Sequence, residues 1–132
     1  MPRRPSTTLT EAELRVMQVL WKQGPSTVAE VVERLAPEVP LAYTTVLTTL
    51  RILEEKGHID HTKQGRAHRY HTLLDRGEAR RSALRFMLDR FFDNSPSLMM
   101  VKLMEEGDLD LEEIRRLREA LARDEEPKVK GS

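Results

Sequence analysis

The chain has 132 residues, 39% hydrophobic and 33% charged, which suits one ordinary domain or a small domain with an appendage and excludes a disordered polymer. Cysteine is absent, which excludes disulfides, thiolate metal sites and a cysteine nucleophile and fits a reducing compartment; no apolar run approaches the roughly 18 residues of a membrane span. The 22 basic and 22 acidic side chains cancel, but residues 1–73 hold ten Lys/Arg against eight Asp/Glu and residues 74–132 hold twelve against fourteen, a small asymmetry that makes the first part the basic one.

Met1-Pro2-Arg3-Arg4 runs into polar Ser6-Thr7-Thr8 with no apolar signal region, so a cytoplasmic protein is expected. Thr10 and Glu13 make a capping box, and Leu14, Met17, Leu20 and Trp21 follow at helical spacing until Gly24-Pro25 stops the helix. A second box, Thr27 with Glu30, opens a helix striped by Val28, Val31, Val32 and Leu35, which Ala36-Pro37-Glu38-Val39-Pro40 ends. The third helix is expected from about Ala42 to Lys56, with Gly57 as its cap. Val46, Thr49, Leu50 and Leu53 line one side; Tyr43, Thr44, Leu47, Thr48 and Arg51 fall largely on the other.

The period then changes from helical to alternating. His58 to Lys63 reads as a strand, Gln64-Gly65 as the turn and Arg66 to Thr72 as the return strand, a hairpin with Lys63, Arg66 and Arg69 at its basic tip. From Asp75 the chain is helical again. Ala83, Leu84, Met87, Leu88 and Phe91 stripe a long fourth helix that Asp93-Asn94-Ser95-Pro96 terminates, Ser95 capping the fifth with Pro96 in its first position. That fifth helix, Leu98 to Met104, is apolar nearly all round. The sixth opens on Asp110 with Glu113 and carries Ile114, Leu117 and Leu121; Leu109 and Ile114 stand where a hydrophobic staple would be. A tail over 124–132 has nothing to bury and is expected to fray.

Three helices followed by a basic hairpin is the order of a winged helix-turn-helix, in which the third helix enters the DNA major groove. The expected fold class is mainly α with a small β-hairpin: a winged-helix DNA-binding domain over 1–73, then a three-helix dimerisation region over 74–123. Thr44, Thr45 and Thr48 are short enough to approach base edges, and a threonine methyl can touch a thymine methyl. Arg51, Lys63, Arg66 and Arg69 suit phosphate. In the second part, one neighbour cannot cover a helix that is apolar on every face. A homodimer through Leu84, Leu88, Phe91, Leu98, Val101, Leu103, Ile114, Leu117 and Leu121 is therefore expected.

Leu9-Thr10-Glu11-Ala12-Glu13 with Leu20-Trp21, the run Tyr43 to Leu50, Leu53-Glu54-Glu55-Lys56-Gly57, and Gly65-Arg66 with Tyr70 together resemble the penicillinase-repressor family, the BlaI/MecI type, over residues 9–122. The resemblance implies a dimeric repressor on an inverted-repeat operator, with Thr44, Thr45, Leu47 and Thr48 reading it. It also implies release by an inducing signal: in the antibiotic-resistance branch a regulatory protease cuts an Asn-Phe bond in the fifth helix. The matching pair here is Lys102-Leu103, the cleavage candidate, so the chemistry of recognition must differ. The copper-responsive branch carries cysteines near its C-terminus; this chain has none, so that switch is unavailable.

No enzyme is expected, because no acid–base set or glycine-rich phosphate loop converges and the acidic residues sit at pairing distance from Arg or Lys on helix surfaces. No cofactor or metal is expected either. His61 and His68 flank the turn and could face one another, but no carboxylate or thiol completes the set in an obvious way. The competing reading is a winged-helix module that binds protein instead of DNA. Lys63, Arg66 and Arg69 beside a hydroxyl-rich helix speak against it, since an adaptor has no need of them.

Overall fold

The computed structural model describes residues 8–124, so the tail read over 124–132 lies, apart from Asp124, outside the described residues. The elements in order are α1 (Glu11–Gln23), β1 (Ser26–Thr27), α2 (Val28–Leu35), α3 (Tyr43–Glu55), β2 (Ile59–Gln64), β3 (Ala67–Thr72), α4 (Arg76–Phe91), α5 (Pro96–Glu105) and α6 (Leu111–Ala122). The chain divides into two compact units whose sequence boundary, between Phe86 and Met87, falls inside α4.

In the first unit, α1 begins where Thr10 and Glu13 satisfy each other's backbone N–H groups, at 3.2 and 2.8 Å. At α2 only the forward half of the expected box is made: Glu30 N–H donates to Thr27 Oγ1, while the Glu30 carboxylate turns to Arg69. The three helices enclose one apolar cluster built from Val16, Met17 and Leu20 of α1, Val28, Val31 and Leu35 of α2, and Val46, Leu50 and Leu53 of α3. Ile59, Tyr70 and Leu74 close it from the sheet side.

The sheet has three antiparallel strands in the order β1-β3-β2, with Ser26 opposite Tyr70 and His61 opposite Tyr70 on its other side. Strand β1 was absent from the sequence reading because two residues are too few to show a period. The hairpin turn is one residue later than expected. Gln64 pairs with Ala67, leaving Gly65-Arg66 as the two-residue loop. Gly65 has φ +64° and Arg66 does not lie in the left-handed region, the Gly-X arrangement that matches the twist of the flanking strands. Arg66 therefore sits in the loop itself. The chain leaves the sheet through a fixed exit: the Trp21 indole N–H donates to Leu74 O at 2.9 Å, and the Arg76 guanidinium lies 5.5 Å from the Trp21 ring centre. Ala79 also packs on the cluster, so this unit runs past residue 73 into α4.

The second unit holds the end of α4, then α5 and α6. Asp93 and Asn94 take left-handed backbone conformations and Asn94 N–H donates to Leu88 O at 2.7 Å, ending α4 as the Asp-Asn pair predicts. Ser95 Oγ and Asp110 Oδ1 accept from Leu98 and Glu113 N–H, capping α5 and α6. Among the described residues of this unit only Leu88 is buried; α5 and α6 bury none.

Candidate nucleic-acid interface

Helix α3 divides its sides sharply. Val46, Thr49, Leu50 and Leu53 are buried, while Tyr43, Thr44, Thr45, Thr48 and Arg51 are exposed. Leu47, placed on the outer face by the sequence reading, is half-buried and packs against the core cluster, so only its edge is available. The Thr48 hydroxyl donates to Thr44 O at 2.8 Å and that of Thr49 to Thr45 O at 2.9 Å. Thr48 is thereby left with an acceptor oxygen and a methyl facing outward.

The N-terminus of α3 differs from those of α1, α2, α5 and α6, each closed by a Thr, Ser or Asp side chain. Its N-cap is Ala42, with no side-chain hydrogen bond, and its first turn contains no acidic residue. The first-turn N–H groups and the positive end of the helix dipole thus face outward uncompensated, a favourable place for a phosphate oxygen.

At the tip of the wing, Lys63 and Arg66 are both exposed. Arg69 behaves differently. Its guanidinium donates to Gln64 Oε1 at 2.6 Å, Pro25 O at 2.8 Å and Glu30 Oε1 at 3.0 Å, so it ties the hairpin to α2 and to the turn before β1. Arg69 is thus not a free cation of the wing tip like Lys63 and Arg66; spacing alone does not reveal partners such as Pro25 and Glu30, more than 30 residues away. Tyr70, the buried residue of β3, has its phenol pushed up by burial and by the Glu54 carboxylate, with Arg51 opposing.

A half-buried ion pair joins residues too far apart in the chain for any local period to reveal it. Glu13 is only 3% exposed, and Lys56 Nζ reaches both its oxygens at 2.7 and 2.9 Å. Burial would raise the Glu13 pKa, but the hydrogen bonds from Lys56 and Thr10 and the Lys56 charge together hold it below the ordinary carboxylate value. The pair fastens the start of α1 to the end of α3 and so fixes how α3 is presented.

In the second unit the residues read as a dimer surface are mostly uncovered. Phe91 is 67% and Leu121 is 74% exposed; Leu84, just before the unit boundary, is exposed, as are Val101 and Leu103, while Leu98, Ile114 and Leu117 are half-buried and Leu88 is buried. Lys102 is exposed and paired with Glu105 at 3.2 Å.

The family model described as penicillinase repressor matches residues 9–123. The chain belongs to the penicillinase repressor family. Among its relatives is the penicillinase repressor of Bacillus licheniformis, 30% identical over 113 residues, covering 86% of this chain and 88% of that protein. The transcriptional regulator BlaI of Mycobacterium tuberculosis is 41% identical over 73 residues, 54% of this chain and 53% of that one. The solution structure of the DNA binding domain of the repressor BlaI superposes with a TM-score of 0.50 at 32% identity, covering 59% of this chain and 93% of that one. The first unit is accordingly a winged helix-turn-helix, and the family is one of transcriptional repressors rather than enzymes.

Proposed function

We propose that this protein is a homodimeric transcriptional repressor that binds an inverted-repeat operator through α3 and the tip of the wing. The observation that carries this reading is the outer face of α3: an uncapped, acid-free N-terminus followed by exposed Tyr43, Thr44, Thr45, Thr48 and Arg51. A helix N-terminus can seat a phosphate, while short hydroxyl side chains let the backbone approach base edges. Lys63 and Arg66 follow the phosphates beside the groove, and the edge of Leu47 supplies apolar contact. Arg69 serves this face indirectly by holding the wing in place.

Dimerisation uses the second unit, whose uncovered apolar side chains, Phe91, Val101, Leu103 and Leu121 among them, need a two-fold partner. The functional division at 73/74 places the reader before it and the clamp after it, in a cytoplasmic protein. Cutting α5 at Lys102-Leu103 would part the reader from most of the clamp and release the operator. The protease would act on the DNA-free form or after local opening, since the dimer would cover Leu103.

The test is a gel shift of the full chain against duplexes selected from a random DNA pool. Saturable binding to a palindrome is expected. Thr48→Ala should lose about 1–3 kcal/mol of preference at one base pair in each half-site. Failure of every selected duplex to shift would overturn the reading in favour of a protein-binding winged helix.

A further inference from the structure

In the sequence no carboxylate stands in an obvious place to complete a metal set with the wing histidines. The fold supplies two. Glu54 from the last turn of α3 meets Asp60 and His61 from β2, and one ligand atom from each lies within 4.8 Å of the others. We propose that Glu54, Asp60 and His61 form a binding site for a borderline divalent cation of the zinc(II) or cobalt(II) class.

The donor set is one imidazole nitrogen and two carboxylates, which suits such ions and, with cysteine absent from the chain, disfavours soft thiophilic ones. Donors at about 2.0–2.2 Å from a tetrahedral ion stand roughly 3.4 Å apart, so Glu54 and His61, already in direct contact, must part to admit the ion, while Asp60, within 4.8 Å of both, needs only a small shift. Glu54 and His61 are each about one-third exposed, at 31% and 30% of the side chain, and Asp60 is exposed, so an ion can enter from solvent. Three protein ligands leave one position for water.

Charge favours occupation. Among the described residues no lysine or arginine is paired with Glu54 or Asp60; Glu54 pairs with the His61 ring, at Nδ1. Two neighbouring carboxylates without a fixed cation repel each other, and a divalent ion removes that repulsion. The geometry is also braced. Asp60 Oδ1 accepts the His61 backbone N–H at 2.8 Å, and the His68 ring stacks on His61 with centroids 4.3 Å apart and planes 14° from parallel. A stacked ring does not aim its lone pair at the same point, so His68 is assigned to orienting His61 rather than to the ion. An occupied site would lock the root of the wing to the C-terminal end of α3.

The test uses tag-free full-length protein stripped with chelator and contains no DNA, so its result is separate from the operator-binding reading. Cobalt(II) is titrated by its visible absorption and then displaced with zinc(II). One equivalent per chain is expected, displaced by zinc, with a zinc-dependent rise in the thermal unfolding midpoint. His61→Gln and Asp60→Asn, both surface changes, should each weaken cobalt binding roughly tenfold or more, while the metal-free far-UV spectrum stays as in the wild type. His68→Gln should retain a saturable site. The proposal is overturned if cobalt gives no saturable absorption, or if His61→Gln and Asp60→Asn bind it as tightly as the wild type. Should one of these variants misfold, the other decides.

Discussion

The two units treat their apolar side chains in opposite ways. The first gathers twelve of them into one buried cluster under three helices and a sheet. The second leaves Met87, Phe91, Met100, Val101, Leu103, Met104, Leu111 and Leu121 exposed, although its helices are well capped. Both obey the same local rules for starting and ending helices, so capping is not what separates them. Burial is: the first closes a core of its own, whereas α5 and α6 bury none of their described residues. The first unit is therefore a self-sufficient reader. On the proposed reading, the second is half of a structure whose other half is a second copy.

The sharpest way to break that contrast is to put a charge on the uncovered surface. Val101→Glu should yield monomers in light scattering at micromolar concentration, with the first unit still folded. Operator affinity should fall about 100- to 10,000-fold, because the second half-site is no longer delivered at high effective concentration. Unchanged mass would refute the clamp.

The reverse experiment strikes the reader's core. Leu50 is fully buried among the three helices, and Leu50→Ala should cost about 2–5 kcal/mol in denaturant unfolding of the first unit. A loss below about 1 kcal/mol would mean that the cluster is not the stabilising core the burial implies.

Next in size is the Glu13–Lys56 pair. Lys56→Met leaves a buried carboxylate unpaired; because Lys56 is partly solvated, about 2–3 kcal/mol is expected rather than the full cost of breaking a wholly buried pair. The pH dependence has a definite sign. The folded Glu13 carboxyl is held below its ordinary value of 4.5, so its contribution is complete above that value and is lost as pH falls through the lower folded pKa. Urea midpoints followed from pH 6 down to about 3 should show this loss in the wild type and a smaller one in Glu13→Gln.

The smallest effect separates the wing's cations from each other. Arg66→Ala should weaken binding to every duplex and reduce the salt slope by about 0.9, one phosphate contact. Arg69→Ala should chiefly lower the thermal unfolding midpoint, because its three hydrogen bonds are internal. A reversal of these two phenotypes in paired salt titrations and melts would show that the roles have been assigned the wrong way round.

Much of the architecture is legible in the sequence because it is set by interactions within about four residues. Thr10 with Glu13, Ser95 before Pro96, Asp110 with Glu113 and Asp93-Asn94 place helix ends by satisfying backbone groups beside them. Apolar periodicity then says which face turns inward, and it is right for Val46, Thr49, Leu50 and Leu53. Leu47 is the exception, half-buried where the spacing puts it outside. It lies at the border of the two faces of α3, where the angular position of a residue does not decide burial and the neighbouring elements do. What only the tertiary structure decided are contacts between distant segments: Lys56 on Glu13, Arg69 on Pro25 and Glu30, Trp21 on Leu74, and Glu54 beside Asp60 and His61. Each joins residues on different elements, and no local period encodes which elements will meet. The chemistry of a side chain is written in the sequence, but whether a cation such as Arg66 or Arg69 is available to a partner depends on which carboxylate and carbonyl oxygens the fold brings within 3 Å of it.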